Sequence, residues 1–414
     1  MKELQNKLSV ISIAAFGLFP ILPSEKRGVL VILIGLVSLI LLLYNRKFKL
    51  NRLLLINSSL YITYVLSLVY SIDTTHTFKR FETALSIILF PLFFTIFSSS
   101  NKIVFLKEAQ FFLYKLFIIS ATSFSLIIFL YVRSLGYFNG SKNYEYCISQ
   151  LSSKLPLLND HPIYMSIILS LAILFLIDLV KKCSGKKAKT AFYILVMVFL
   201  TSTLLFLSRK GVIVAFIISL TALLTSYFKT KKSILVISLS ASVIVILTVF
   251  VASNQKRFKE LFKQETYITK NETNSTNNRI QIYKCALTLI KNKPLIGYGV
   301  GKDRIALYSC YKENLYYLYE NKYNIHNQYL SIATKVGLVG LSIFLIFLFY
   351  NLKIAVKSKD IMFLCIILFY SFTFLFENVL ERQNGVILFS FLINYFAYKQ
   401  EKNKETLTKE LIEK

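Results

Sequence analysis

The sequence predicts an all-α integral membrane protein, and three observations lead to this fold class. Hydrophobic residues make up 55% of the 414 residues, and the mean hydropathy is +0.58. Apolar runs of about 15 to 24 residues recur along the chain, close to the length that crosses a bilayer as a helix. Lys and Arg give a net charge of +28 but lie in short clusters between these runs. This placement orients helices in a membrane and argues against nucleic-acid binding.

The apolar runs predict about twelve transmembrane helices. The first run is short, but no small-residue cleavage site follows it, so we expect it to stay in the protein as a helix. The predicted spans lie near residues 8–22, 29–44, 53–70, 84–98, 110–132, 162–180, 190–207, 211–228, 233–252, 338–352, 361–376 and 385–398.

The basic clusters predict that both termini lie in the cytoplasm. This topology brings the basic segments to the inner side of the membrane, where positive charge is enriched. These segments are RKFKLNR (46–52), KKCSGKKAK (181–189), KTKK (229–232), KSKD (357–360) and the Lys-rich tail.

Two large loops then lie on the outer side, and the second is expected to form a small, mostly helical unit. The outer loops are 134–160 and 253–325, with short outer turns at 23–28, 71–83, 208–210 and 377–384. We divide the chain into three parts: 1–252 with the first nine spans and the loop 134–160, 253–337 with the large loop, and 338–414 with the last three spans and the tail.

One histidine stands at the start of an apolar helix. The stretch NIHNQYLSIATKVGLVGL, residues 324–341, places His326 between Asn324 and Asn327. Asparagine caps the free backbone amides of a helix start, so His326 is predicted on the first turn of that helix. Such a start also attracts anions. The alternative is a histidine at the membrane interface that only hydrogen-bonds a loop carbonyl.

A pair of cations occupies a very short outer turn. Arg209 and Lys210 separate two apolar runs, so they lie in a tight turn at the outer membrane surface. Two cations there oppose the usual inward bias of positive charge, which indicates that they are kept for a purpose. The alternative is an arginine that extends to lipid phosphates.

The large loop carries an arginine and a run of alternating glycines. Asn278 and Arg279 are predicted to open an amphipathic helix, and Arg279 can hold an anion or pair with a carboxylate. The following LIGYGVGKDR, 295–304, is no dinucleotide motif, because no βαβ unit surrounds it. We expect a bent loop that lies close to another part of the chain, with glycines allowing its backbone shape.

Two further outer segments carry titratable residues. His161 precedes Pro162 at an outer helix start, where proline suits the first helical position. The last outer turn, ENVLERQNG, contains Glu377, Glu381 and Arg382. Carboxylates there can orient a base or bind hydroxyls, or they can form a solvated salt-bridge cluster of little energetic value.

The cysteines suggest one cross-link. Cys147 and Cys310 both lie in predicted outer loops, which face an oxidising compartment if that side is a periplasm. We therefore hypothesise a disulfide between them that joins the two loops.

Several of these segments together resemble the family of O-antigen ligases and polymerases. They are SRKG around Arg209, the Arg279 helix closing with KPLIGYGVG, and HNQYLSIATKVGLVGL from His326, with HPIY and LERQNG similar to versions in some members. Tyr283 stands where members often carry tryptophan. The family comprises bacterial polytopic membrane glycosyltransferases that use undecaprenyl-diphosphate-linked glycans, and the resemblance implies a GT-C-like architecture.

The resemblance also implies roles for the residues. Arg209 and Arg279 would bind the donor diphosphate through their guanidinium groups, and His326 would deprotonate the acceptor hydroxyl as a neutral imidazole. The transfer would be inverting and would need no metal or other cofactor, and no metal-site spacing occurs in the sequence. Candidates for acceptor binding or for supporting these groups are Lys210, Asn327, His161, Glu381 and Arg382.

We therefore expect a glycosyltransferase of the bacterial inner membrane whose active site faces the periplasm. The favoured function is a ligase that moves a glycan from undecaprenyl diphosphate to lipid A-core or a similar acceptor. A polymerase would use the same chemistry with a growing glycan as acceptor, and the residues do not separate the two. A polysaccharide transporter is disfavoured, because the ionisable residues cluster at the outer face instead of mid-membrane.

Overall fold

The computed structural model describes residues 2–71, 74–100, 105, 107–154, 160–182, 187–227 and 275–412, and all regular structure in these ranges is helical. The predicted span 233–252 and the basic segment 229–232 lie outside them. The helices before the large loop are α1 Lys2–Ala15, α2 Gly28–Asn45, α3 Arg52–Leu66, α4 Leu68–Ser71, α5 Thr74–Ala84, α6 Ser86–Ser100, α7 Lys107–Ser134, α8 Tyr144–Lys154, α9 Pro162–Lys182, α10 Lys187–Leu207 and α11 Lys210–Tyr227. Those that follow are α12 Ser275–Asn292, α13 Lys302–Asn314, α14 Tyr316–Glu320, α15 Gln328–Lys357, α16 Ile361–Thr373 and α17 Gln383–Ile412.

Eight helical stretches in the described ranges are long and apolar enough to cross a membrane. They are Ser24–Asn45, Arg52–Ser71, Thr77–Ser100, Lys107–Ser134, Pro162–Lys181, Ala188–Leu207, Lys210–Tyr227 and Gln328–Lys357. These agree with an all-α integral membrane protein, whereas the count of twelve spans and the GT-C-like arrangement stay predictions.

The difference from twelve arises partly at the two ends of the chain. The predicted span 8–22 is divided, because α1 ends at Ala15 and a 3-10 turn follows at Phe16–Leu18. The predicted span 361–376 forms only the 13 residues of α16, which at about 1.5 Å per residue is shorter than the hydrocarbon core of a bilayer. The predicted span 385–398 lies inside α17, which is not among the eight.

Two helices form the centre of the bundle. In α9, 89% of the apolar window is buried inside the protein, and residues 386–398 of α17 are buried without interruption. Helices around them expose large apolar side chains such as Leu43 and Leu195, each 68% exposed. Lipid contact is the physical reason for such exposure in a membrane helix.

The long helix α15 is broken where the glycine loop reaches it. Val336 and Gly337 leave the helical conformation, with Gly337 at φ +69°. The backbone of 294–299 supplies hydrogen bonds at the break: Tyr298 N–H donates to the Thr334 carbonyl at 3.0 Å, and Leu338 N–H donates to the Pro294 carbonyl at 2.7 Å. The prediction of a bent loop laid against another part of the chain is confirmed.

Glycine is required at this contact. A Cβ on Gly337 would lie 2.0 Å from the Leu295 carbonyl oxygen, and one on Gly297 would lie 2.6 Å from the Thr334 oxygen. Both residues also have positive φ, which side chains disfavour. These contacts fix the loop to α15 at Gly337, in the helix that follows His326 in the chain.

The helices α12, α13 and α14 share an apolar cluster of their own. It includes Ile282, Leu289, Leu307, Leu318 and Ile325. This cluster makes the large loop a compact unit in its described part.

The predicted cross-link between Cys147 and Cys310 is wrong. Cys310 is bonded to Cys285, with 6.0 Å between their Cα atoms, and Cys147 is a buried free thiol in α8. The two bonded cysteines lie on neighbouring helices α12 and α13 of the same unit, so packing of the loop on itself brings them together.

Candidate active site

His326 lies just outside the helix that the sequence placed it in. The helix α15 begins at Gln328, and Asn327 is its N-cap, whose side chain accepts a hydrogen bond from Leu330 N–H at 3.0 Å. His326 adopts φ +52°, and its N–H donates to the Asn324 side chain at 3.1 Å. This local hydrogen bond turns the chain before the helix, so the prediction of a first-turn histidine is wrong by two residues. Asn327 also donates to the Leu375 carbonyl at 3.1 Å. It therefore caps α15 and joins the start of this helix to the segment around Leu375.

Glu377 joins the histidine to the loop arginine. Its Oε2 lies 3.1 Å from His326 Nδ1, and its Oε1 accepts a hydrogen bond from Arg279 Nη2 at 2.9 Å. The side chain is only 12% exposed. Burial alone would raise the pKa of this carboxyl, but the hydrogen bond and charge of His326 together with the charge of Arg279 outweigh it and lower the pKa. Glu377 is therefore an anion at neutral pH.

The ionised carboxylate favours one tautomer of the His326 imidazole. A carboxylate beside Nδ1 favours the tautomer with the proton on Nδ1 and leaves the lone pair on Nε2. Within the described residues, Nε2 of His326 makes no hydrogen bond, and the side chain is 22% exposed. In this tautomer, Nε2 is the ring nitrogen left available to a ligand.

The helix α12 presents two side chains to this site. It begins at Ser275, before the predicted opening at Asn278, so Arg279 lies on its second turn. The Arg279 side chain is 35% exposed, and a guanidinium has further N–H donors beyond the one used by Glu377. One turn later, the Tyr283 hydroxyl donates to the His326 carbonyl at 3.3 Å. Arg279 pairs with the Glu377 carboxylate, yet its side chain stays 35% exposed. The structure therefore agrees with both interpretations of Arg279, binding of an anion and pairing with a carboxylate.

His161 lies near the same charges. It directly precedes α9, which begins at Pro162 as predicted, and its Nδ1 accepts a hydrogen bond from Ile163 N–H at 3.3 Å. Burial, then the positive charges of Arg209 and Arg382, lower the pKa of His161 to about 4. The charges of Glu377 and His326 also act on it. The charges of Arg209, Arg382, Glu377 and His326 therefore all act on His161, which is neutral at neutral pH.

Arg209 reaches the site from the predicted tight turn. Ser208 and Arg209 alone separate α10 from α11, and Lys210 is the first residue of α11. The turn is held against the Glu377 turn by Gly211, where a Cβ would lie 2.4 Å from the Cβ of Phe376. Both cations are half-buried.

Glu381 is a buried anion paired with cations in the structure, and its role in acceptor binding or in supporting the site stays a prediction. Its carboxylate accepts from Lys335 Nζ at 2.5 Å and from Ser331 Oγ at 3.1 Å, and it also pairs with Arg80. The side chains of Lys335, Glu381 and Arg80 are 4%, 7% and 13% exposed. Buried cations need such a partner, because an unpaired charge in the interior is costly. The alternative of a solvated cluster is wrong.

Residues 191–345 match the family model described as O-antigen ligase. This segment belongs to the O-antigen ligase family. The resemblance of the sequence to that family is confirmed for these residues, and the eight apolar helices in the described ranges agree with an integral membrane protein. A comparison with curated proteins finds no match.

The O-antigen ligase segment contains only part of the site. Arg209, Lys210, Arg279, His326 and Asn327 lie inside it. Glu377, the hydrogen-bond partner of His326, lies outside it, and so do His161 and Arg382.

A buried ion pair outside the O-antigen ligase segment supports His161. Arg27 Nη1 donates to Asp160 Oδ2 at 2.6 Å, with side chains 0% and 1% exposed. Asn384 donates to the other Asp160 oxygen at 3.4 Å. This pair was not predicted from the sequence. Arg27 does lie in a predicted short outer turn, where positive charge is unusual, as Arg209 does.

In the described ranges, no three His, Cys, Asp or Glu side chains are grouped as metal ligands. Metal-independent chemistry stays a prediction.

Proposed function

We propose that this chain transfers a glycan from undecaprenyl diphosphate to a hydroxyl of an acceptor sugar, as an O-antigen ligase with lipid A-core or a similar acceptor. The reaction takes place at the periplasmic face of the bacterial inner membrane, with both termini in the cytoplasm. The contact of Glu377 with both His326 and Arg279 carries the proposal, because a histidine and an arginine meet at one carboxylate in a chain whose residues 191–345 match the O-antigen ligase model.

His326 acts as the general base. The acceptor hydroxyl approaches Nε2, which takes its proton as the hydroxyl oxygen attacks the anomeric carbon of the donor glycan. Glu377 accepts the Nδ1 hydrogen bond and stabilises the imidazolium that forms. Attack from the face opposite the leaving group inverts the anomeric configuration.

The arginines stabilise the leaving group. The bond between the anomeric carbon and the diphosphate oxygen breaks, and undecaprenyl diphosphate departs with the electron pair. Arg209 and Arg382 both act on His161 through their positive charge, and Arg279 contacts Glu377, so guanidinium groups are available in this region for a diphosphate. Guanidinium forks match phosphate oxygens in geometry. His161 is uncharged there and can hydrogen-bond a sugar or phosphate.

The donor enters from the bilayer. Arg209 lies in the turn between two apolar helices, α10 and α11, where a lipid-linked diphosphate would lie at the level of the phosphate headgroups. The transfer needs no metal in this proposal, since the guanidinium groups supply the positive charge.

Genetic complementation tests this function and its nearest alternatives. A strain lacking its surface-polymer ligase and a strain lacking its polymerase each receive wild type or His326→Ala. The proposal expects polymer on lipid A-core in the ligase strain, lost with His326→Ala. A polymer ladder restored only in the polymerase strain would assign the growing glycan as acceptor. Rescue that survives His326→Ala would contradict the mechanism and favour a transporter.

A further inference from the structure

We propose that Tyr323, supported by Tyr317, forms the surface on which the acceptor sugar lies during transfer. This inference rests on the proposed function, because it uses the position of the base to locate the acceptor. The ligand is a pyranose ring with one apolar C–H face.

The base restricts where the acceptor can lie. Its hydroxyl must come within about 2.6–3.2 Å of the histidine nitrogen, so the sugar ring that carries it sits beside the imidazole. Glu377 occupies the Nδ1 side of His326, and Arg279 lies beyond Glu377. Tyr323 is an aromatic neighbour on the same segment as the base, with 6.1 Å between the centroids of its ring and the imidazole. A sugar at the base therefore lies within reach of the Tyr323 ring.

The local backbone holds Tyr323 and His326 as one unit. Lys322 and His326 both have positive φ, +50° and +52°, and bracket the segment. Tyr323 N–H donates to the Leu318 carbonyl at 3.2 Å. Ile325, between the two rings in sequence, is 4% exposed and anchors the segment in the apolar cluster of the large loop. The aromatic ring is thus fixed relative to the base.

Tyr317 extends this surface away from the base. Its ring centroid lies 6.1 Å from that of Tyr323, and both side chains are partly exposed. A ring pair of this kind can lie along one sugar residue and the start of the next. Tyr311, by contrast, is fully buried and belongs to the core of the loop unit.

The composition of the loop favours sugar contact over simple packing. The chain has 36 Phe and 26 Tyr, yet every Phe, Tyr or Trp position in residues 275–343 is tyrosine. Phenylalanine would fill a core as well without a polar group. Tyrosine adds a hydroxyl to an apolar ring, and this combination suits partly exposed sites that bind ligands with both an apolar face and hydroxyl groups.

The absence of tryptophan from the sequence provides a direct assay. Tyr323→Trp places the only tryptophan of the sequence beside the base, where it can be excited apart from the tyrosines, and Tyr316→Trp is the matched control, since Tyr316 is 59% exposed and pairs with Tyr319. The probe is the oligosaccharide released by mild acid from lipopolysaccharide of a host strain lacking this gene. We expect a saturable change of emission in Tyr323→Trp and none in Tyr316→Trp.

Kinetics of a second variant tests the same point without tryptophan. Tyr323→Leu should raise the acceptor KM roughly five- to tenfold, as expected from loss of an aromatic contact, while kcat and the donor KM change less than about twofold. Tyr316→Leu should leave all three constants unchanged.

The outcomes separate this inference from the proposed function. Wild-type acceptor KM in Tyr323→Leu, together with unresponsive emission in Tyr323→Trp, would overturn the acceptor surface while leaving transfer by His326 intact. Saturable glycan binding at Tyr323→Trp in a protein that transfers no glycan would support the surface and contradict the proposed function.

Discussion

His326 and Glu377 stand 51 positions apart in the chain, and their side chains meet with 3.1 Å between Nδ1 and Oε2. The other oxygen of the same carboxylate holds Arg279. One anion therefore aligns the proposed base and one of the proposed diphosphate ligands. The two functions are coupled, because a change at Glu377 reaches both.

The first prediction concerns this carboxylate. Glu377→Gln keeps the side-chain shape but removes the charge that stabilises an imidazolium, so kcat should fall by about 10²-fold. Glu320→Gln, at the exposed end of α14, is the control and should transfer at the wild-type rate. An unchanged kcat in Glu377→Gln, measured in purified protein, would show that the contact is only structural.

The second prediction concerns the donor. Arg279→Ala should weaken donor binding or transition-state stabilisation by about 1.5–3 kcal/mol, because a charged hydrogen bond to the diphosphate is lost. Arg133→Ala, at the exposed end of α7, serves as the control. Donor KM and kcat are measured with a radiolabelled lipid-linked glycan. Wild-type values for both would remove Arg279 from the diphosphate site.

The third prediction concerns stability. Glu381→Gln leaves Lys335 and Arg80 without their anion in a buried site and should cost about 3–5 kcal/mol of unfolding free energy. Lys335→Met should cost less, since Arg80 and Glu381 remain paired. The Tm of both variants is measured with a thiol-reactive dye. The dye reports exposure of the buried free Cys147 and Cys365 on heating. Equal Tm shifts in the two variants would contradict the assigned pairing.

The fourth prediction concerns acid. The pKa of His161 is about 4 in the folded protein, below its ordinary 6.5, so the unfolded chain binds the proton first as the pH falls. Stability from this group is therefore present above about pH 6.5 and is lost toward pH 4, by roughly 2–3 kcal/mol. His161→Gln should flatten the decrease of Tm over this range. A Tm profile of His161→Gln parallel to wild type would contradict the burial of a neutral His161.

Sequence alone placed the candidate residues near helix ends but did not pair them. Arg209 and His326 were identifiable because cations in short outer turns and capped helix starts are local features. Glu377 and Glu381 are one helical turn apart in sequence, and only the three-dimensional packing decides which one faces His326 and which one faces Lys335. From the sequence, Glu381 was chosen as a candidate for acceptor binding or support, which stays a prediction, and Glu377 was named only as a carboxylate of the same turn.

The break in α15 and the buried pair of Arg27 with Asp160 were not predicted from the sequence, and for the same reason: both depend on contacts between distant parts of the chain. The residues around Gly337 follow a helical apolar pattern, and the break depends on hydrogen bonds from a loop some forty residues earlier in the chain. Arg27 and Asp160 are separated by 133 positions. Long-range contacts of this kind leave no periodic signal in the sequence, just as the partner of Cys310 could not be chosen from spacing.

Glycan transfer by purified protein in lipid nanodiscs, with an undecaprenyl-diphosphate-linked donor and with EDTA present, tests both the base and the need for a metal. We expect undiminished wild-type turnover in EDTA and a loss of roughly 10²–10⁴-fold in His326→Ala, with donor binding retained. Turnover by His326→Ala at the wild-type rate would contradict the assignment of the base, and loss of wild-type turnover in EDTA would contradict the metal-free mechanism.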